Sequence, residues 1–364
     1  MATSQFPLHP QSRYANLNSA IRQPTEFTCF SYDNTRRYHS DDSSLRYYYT
    51  PHLPADLNRG FDEFEKHDDT IDEHLDGLLR ALEEYERTTG EIVKADVVTW
   101  RGMLTKIMSL PFDLRNSFEM NATRFQDTIF IEEHHPFKMS SQRPLDRRGK
   151  LMSFWGYKFE TLATLSQTWD DTPRSVIEGR GNEVVNNEAQ FCSIVKTGFA
   201  DVKVVIAGEV DAIWDERRPD SPTPHNYVEL KTSKRPTSER DDINFERKLQ
   251  RIWAQSFLLG VPRVMVGFRD NDGTLLSVEE FFTRDIPKIA KRSGRNLWDG
   301  KYSIDFTTAL LQWLKAAIPS VEETEGVVWR IRYREGMPGV EVERTDEKSF
   351  LTQSFIDWRK SGGT

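Results

Sequence analysis

Two strand-like stretches set the problem this chain must solve. AGEVDAIW (207–214) and YVELKTSK (227–234) have the β-branched and aromatic content of buried strands, yet they carry Glu209, Asp211, Glu229 and Lys231. Alternation sends residues two apart to one face, so Glu209 joins Asp211 and Glu229 joins Lys231, while Val210 and Leu230 point away. The polar connector DERRPDSPTPHN (215–226) is short enough for the strands to be neighbours, which would gather three carboxylates and one ammonium on one side of a sheet. Desolvating such a group uncompensated costs on the order of several kcal/mol.

A divalent cation, Mg²⁺ or Mn²⁺, resolves the conflict, because both prefer carboxylate, carbonyl and water oxygens. A charged lysine is no ligand, but beside a metal-bound water it can orient the nucleophile, take its proton or stabilise a phosphate. An acidic residue, a spacer and Glu-x-Lys form the core of the PD-(D/E)xK nuclease site. An isolated E-x-K usually lies on a surface strand with both groups in water; the apolar flanks and the second, E-x-D strand weigh against that here. Glu160 fits the same scheme. It sits in KLMSFWGYKFETLATLSQ (150–167), a helical pattern of Leu151, Phe154, Trp155, Phe159, Leu162 and Leu165, with uncharged Gly156, Tyr157, Ala163 and Thr164 around it. Alone it would be a solvated helical residue; with the strand pair it completes an acidic set for one or two ions.

Composition narrows the class. The chain has 364 residues, enough for a substantial core, and a net charge of −8, which argues against binding polyanions over the whole surface but not in a local groove. Basic clusters at Arg143/Arg147/Arg148/Lys150, Arg247/Lys248/Arg251 and Lys288/Lys291/Arg292/Arg295 read first as solvated faces. Two distant cysteines, Cys29 and Cys192, suggest neither a metal knuckle nor a disulfide framework, so a reducing intracellular compartment is expected. MATSQFPLHP lacks signal-peptide character and no run of eighteen apolar residues occurs, so a soluble protein away from membranes is expected.

Along the chain, residues 1–60 read as an irregular, aromatic-rich segment that wraps over the fold. An amphipathic helix is predicted over 61–88, from Ile71, Leu75, Leu78, Leu79, Leu82 and Tyr85, stopped near Gly90. Residues 95–112 read as an apolar segment leading into a helix broken by Pro111, and NATRFQDTIFIEEH as one strand. EAQFCSIVKTGF and VKVVIAGEVDAIW are predicted strands, FERKLQRIWAQSFLLG a helix closed by Gly260, and 263–282 a hairpin around Asp272-Gly273. TTALLQWLKAAI is a further helix, GVVWRIRYRE a strand, and the end is polar. With no repeat and no linker, one α/β domain over 1–364 is expected, its chemistry in 95–262.

The ordered blocks WRGMLTKI (100–107), GYKFE (156–160), GEVDAIWD (208–215), VELKT (228–232) and WAQSFLLGVP (253–262), with LRYYYTP and DLNRGFDEF, resemble the DXO decapping exoribonuclease family. The likeness is strongest to its fungal nuclear members that partner the Rat-type 5′-3′ exoribonuclease. The resemblance implies a mixed α/β fold with two β-sheets flanked by helices. It implies that Glu160, Asp211 and Glu229 bind metal, with the Leu230 carbonyl as an extra ligand and Glu209 acting on the metal shell, through water. It gives Lys231 and Gln255 contacts to the reacting phosphate or the attacking water, and Arg101 a substrate phosphate. The implied chemistry is hydrolysis at RNA 5′ ends: pyrophosphate release from triphosphorylated RNA, removal of incomplete, whole or NAD caps, and in some members 5′-3′ exonuclease action. A nuclear location and a Rat-type partner follow from the same resemblance. RNA would enter single-stranded, with Trp100 and Trp155 available for stacking, although core packing is the simpler reading of each.

Other signals carry less. EEHH (132–135) lacks a third ligand at zinc spacing and reads as turn or surface; GRG (179–181) lacks a phosphate-loop lysine; RDNDGTLLSVEE puts Phe268 at the first EF-hand position; no GxSxG occurs. Two alternatives stay open on the residues: a non-catalytic stabilising partner of an exoribonuclease, and a restriction-type DNA nuclease sharing the same metal site.

Overall fold

The computed structural model describes residues 4–15, 17–217, 225–320 and 326–362. Part of the 215–226 connector therefore lies outside the described residues. Two mixed sheets form the frame. In the ten-stranded sheet, Val202–Glu209 runs antiparallel to Gln190–Phe199 and parallel to Val97–Trp100. In the seven-stranded sheet, Tyr227–Lys234 runs parallel to Arg263–Arg269 and antiparallel to the two-residue strand Ala212–Ile213.

Helices fill the spaces these sheets leave. Glu239–Leu259 starts on Ser238, whose side chain accepts from the Asp241 N–H, and ends on left-handed Gly260. Its Leu249, Ile252, Ala254 and Leu258 share one core with Val204 and Ile206 of the first sheet and Val264 and Val266 of the second. Arg147–Leu162 covers the other face of the second sheet, where Phe154, Trp155 and Phe159 pack on Val228, Leu230 and Met265; each aromatic so buried contributes about 2 kcal/mol. Asp76–Thr89 covers the first sheet with Leu78, Leu79 and Leu82 against Phe30, Ile194 and Val205. Among the described residues no helix is long and apolar enough to cross a membrane.

The mixed α/β architecture with two sheets is as expected, and five local expectations are corrected. AGEVDAIW is not one strand: the chain leaves the first sheet at Glu209 and joins the second at Ala212. The N-terminal segment contains a twelve-residue strand, Ile21–Tyr32, paired with Gln190–Phe199; register shifts in that pairing explain why its alternation is hard to see. NATRFQDTIFIEEH is a hairpin of Phe118–Phe125 and Thr128–Glu133 turning at left-handed Gln126, because strands buried on both faces show no alternation. The polar end holds a strand, Gly339–Lys348, and a helix, Gln353–Lys360. The first amphipathic helix also begins later than predicted, at Asp76, with Ile71 exposed. The Asp272-Gly273 hairpin forms as predicted, and a Cβ on Gly273 would lie 2.7 Å from the Trp155 ring.

Candidate active site

The sheet switch builds the site. Because Ala212–Ile213 is so short, Tyr227–Lys234 loses its antiparallel neighbour beyond Val228, and Asp211 caps the exposed edge: its Oδ2 accepts the Leu230 N–H at 2.6 Å. The Leu230 carbonyl leaves the same edge, since a strand residue's N–H and C=O face one neighbour. Glu229 is fully buried. Its Oε2 accepts from Arg101 Nη1 at 2.8 Å, and its Oε1 lies 2.6 Å from Lys231 Nζ in an ion pair whose angles fall outside hydrogen-bond range. Lys231 Nζ is also 3.7 Å from Asp211 Oδ2.

Two close approaches hold these groups in place. Arg101 opens the helix Arg101–Ser109 directly after the Val97–Trp100 strand, and its Cβ would lie 3.0 Å from a Cβ on Gly208. Gly208 is glycine because that side of the strand faces Arg101 and Leu259. Glu160 rides on the Arg147–Leu162 helix, which seats Phe159 against Gly267, where a Cβ would come within 2.9 Å of the ring.

The electrostatics are those of an undercompensated acidic cluster. Burial, then Asp211 and Glu209, pushes the Glu160 carboxyl well above its ordinary range. Burial, then Asp211, raises Glu209 to about 7, and burial raises Asp211. Glu229 goes the other way: burial would raise it, but Arg101 and then Lys231 outweigh that and hold it at about 2. Burial likewise disfavours charged Lys231, yet Glu229 and Asp211 hold its proton more firmly than usual. Fully ionised, the four carboxylates would outweigh Arg101 and Lys231 by two negative charges, the charge of one divalent ion; without an ion, the raised carboxyls of Glu160, Glu209 and Asp211 favour protons instead.

That is the test of fit, and the donor set passes it. Glu229 Oε1 is buried without a hydrogen bond, and among the described residues the cations paired with this carboxylate are the Lys231 ammonium and the Arg101 guanidinium. Among the described residues no three acidic, His or Cys side chains already converge at ligation distance. The physical reason is visible: Lys231 draws Glu229 toward itself, and Asp211 is turned to the Leu230 N–H.

Two cavities of about 290 Å³ each meet at Glu209 and Gln190. One is walled by Glu160, Asp211, Tyr157, Arg46 and the amides of Asn34, Asn186 and Asn187. The other is walled by Arg101, Gln255, Trp100, Arg36, Glu73 and His74. Of the sequence-predicted residues, Glu160, Glu209, Asp211, Glu229, Lys231 and Arg101 come together, but from both sheets and two helices rather than one sheet face. Gln255 faces the second cavity, on the helix Glu239–Leu259. Trp155 is core, stacked under Arg269, whereas Trp100 lines the second cavity. The sequence reading missed Arg36, Glu73 and His74, which fall in no motif, and named Tyr157 only as an uncharged neighbour of Glu160; the positive φ of Arg36 and His74 leaves no trace in composition. It also misplaced Glu132 of EEHH, which is buried against His74; His134 is half-buried and pairs with Glu119.

The family model described as RAI1-like PD-(D/E)XK nuclease matches residues 22–356. This chain belongs to that family. Within the RAI1-like group, a protein named decapping nuclease RAI1 from Aspergillus fumigatus is 49% identical over 362 residues, covering 97% of this chain and 98% of its own. Its namesake from Emericella nidulans is 48% identical over 368 residues, covering 99% and 100%. Among solved structures, Candida albicans Rai1 in complex with pU5-Mn²⁺ superposes with a TM-score of 0.90 at 30% identity, covering 99% of this chain and 100% of that one. Scheffersomyces stipitis Rai1 in complex with (3′-NADP)⁺ and calcium ion gives 0.89 at 30% identity, covering 98% and 100%. The RAI1-like assignment thus spans both sheets and every element that supplies the acidic cluster.

Proposed function

We propose that this protein is a divalent-metal-dependent hydrolase of RNA 5′ ends. The observation that carries the reading is the gathering of four carboxyl groups against two cations at the sheet switch, set between two cavities. Glu160, Asp211 and Glu229, with the Leu230 carbonyl, would hold the ion, Mg²⁺ or Mn²⁺, and Glu209 would act on it through water. When bound, such an ion supplies Lewis acidity at a phosphate and lowers the pKa of attacking water. Lys231, paired with Glu229 and near Asp211, places an ammonium beside the position of the reacting phosphate. Arg101, already aimed at the cluster, holds a second phosphate oxygen, and the Gln255 amide orients substrate from the neighbouring wall.

The relatives named as decapping nucleases, and a relative's complex with a 5′-phosphorylated uridine oligomer, support RNA as the substrate. A relative's complex with (3′-NADP)⁺ supports dinucleotide-type 5′ ends, including NAD caps, beside 5′-triphosphates and incomplete caps. Nuclear residence and association with a Rat-type 5′-3′ exoribonuclease belong to the same reading. Its test is incubation of 5′-triphosphate, capped and NAD-capped RNA with Mg²⁺ or Mn²⁺, with circular DNA as the counter-substrate and products identified by mass. The wild type releases pyrophosphate or the cap from RNA and spares the DNA. Activity surviving Asp211→Ala combined with Glu229→Ala would refute the site.

A further inference from the structure

His74 is a cavity residue that the proposed chemistry does not yet use. It lines the cavity that ends at Arg101, Gln255 and Glu209. Its backbone is left-handed, φ 46°, as is that of Arg36 (φ 63°) on the same wall. A non-glycine residue in that region persists where its surroundings over-determine it. They do so here: Trp100 Nε1 donates to the His74 carbonyl at 3.3 Å, and the helix that follows lies so close to Tyr32 that a Cβ on Gly77 would be 2.3 Å from the phenol oxygen.

The imidazole itself is aimed. Nδ1 lies 2.9 Å from Oε2 of Glu132, a carboxylate only 2% exposed whose Oε1 is held by the Asn121 amide at 2.9 Å. Nε2 has no partner among the described residues. A ring that gives its Nδ1–H to a buried carboxylate presents Nε2 as an acceptor while neutral and as a charged N–H donor once protonated, and the carboxylate favours the protonated form. Arg36, the neighbouring cation, is spoken for: Glu73 takes it at 2.8 and 2.5 Å, and Gln190 at 2.7 Å.

We propose that His74, positioned by Glu132, binds a phosphate oxygen of the substrate through Nε2–H in the cavity shared with Arg101 and Gln255. This rests on the reading of the protein as an RNA 5′-end hydrolase. The phosphate belongs either to the 5′-terminal group or to an internal phosphodiester, and the two give different substrate patterns. Glu132, with Asp72 and Asp76 behind it, holds the ring's proton up to a pH of about 9, while Arg101, Arg36 and Glu73 face it across the cavity.

The experiment uses the full chain with Mn²⁺ and 5′-triphosphate, 5′-monophosphate and 5′-hydroxyl RNA of one length. His74→Asn, which tolerates the left-handed backbone, raises KM about tenfold and changes kcat less, with an unchanged thermal midpoint at pH above 9 confirming the fold. His74→Arg recovers part of the loss by restoring a cation. Loss confined to the triphosphate substrate assigns the 5′ end; equal loss with all three assigns an internal phosphodiester. Glu132→Gln moves the alkaline rise in KM down by about one pH unit or more, which a purely structural role would not do. KM within twofold of wild type in His74→Asn, or an alkaline rise unmoved by Glu132→Gln, overturns the proposal while the hydrolase reading stands. A wild type without metal-dependent RNA hydrolysis, or Asp211→Asn that retains it, defeats that reading and this inference with it.

Discussion

Arg101 and Glu229 are 128 positions apart, yet the guanidinium donates a 2.8 Å hydrogen bond to a carboxylate with no solvent exposure. The bond ties the first turn of a helix on one sheet to the central strand of the other. It also orients the one carboxylate in the cluster that stays firmly ionised.

Removing Glu229 should therefore cost stability as well as activity. Glu229→Ala leaves the half-buried Arg101 and Lys231 beside each other with only the longer Lys231–Asp211 pair, and a loss of about 2 kcal/mol is expected. Glu160→Gln has the opposite sign. It relieves repulsion in an overcrowded acidic pocket and should stabilise the metal-free protein by about 1 kcal/mol, while abolishing hydrolysis. Denaturant midpoints at pH 8 in the presence of a chelator check both; two variants shifting in the same direction would contradict the charge account.

The His74–Glu132 pair predicts a pH dependence of stability. Glu132 raises the folded-state pKa of His74 from 6.5 to about 9, burial opposing. The folded state thus holds the proton more tightly. The resulting stability is fully present below pH 6.5 and is lost as pH climbs through 9. Because the side chain is 40% exposed, solvent screening reduces the effect to about 1 kcal/mol. Wild type should lose that much more than His74→Gln between pH 6 and pH 9.5 in parallel chemical denaturation; equal slopes would count against the pair.

Much of this site is legible in sequence. Period-two alternation isolates Glu209, Asp211, Glu229 and Lys231, because buried strands leave no bland reason for four charges. The sheet switch is not legible, since a two-residue strand such as Ala212–Ile213 has no period at all. Nor is the pairing of Arg101 with Glu229, which depends on how two sheets and a helix close on each other. His74 and Arg36 escaped for a related reason: their importance lies in backbone angle and cavity position, and neither is a composition.

Gly208 offers a test of that closure without touching a charged group. A methyl there would meet Leu259 Cδ1 at 2.6 Å and Arg101 Cβ at 3.0 Å. Gly208→Ala should cost about 2 kcal/mol and displace the guanidinium, lowering kcat/KM about 100-fold. Steady-state kinetics on 5′-triphosphate RNA, together with a thermal melt, would show it. Wild-type kinetics in this variant would mean that Arg101 placement is not critical.

The most direct measurement is anomalous diffraction at the manganese edge from crystals of this protein grown with Mn²⁺. The charge imbalance at the sheet switch predicts a peak among Glu160, Asp211 and Glu229, with Asp211 turned from the Leu230 amide toward it. Ordered crystals with no manganese at those carboxylates, or with manganese held elsewhere and Lys231 still filling the cluster, would contradict the account.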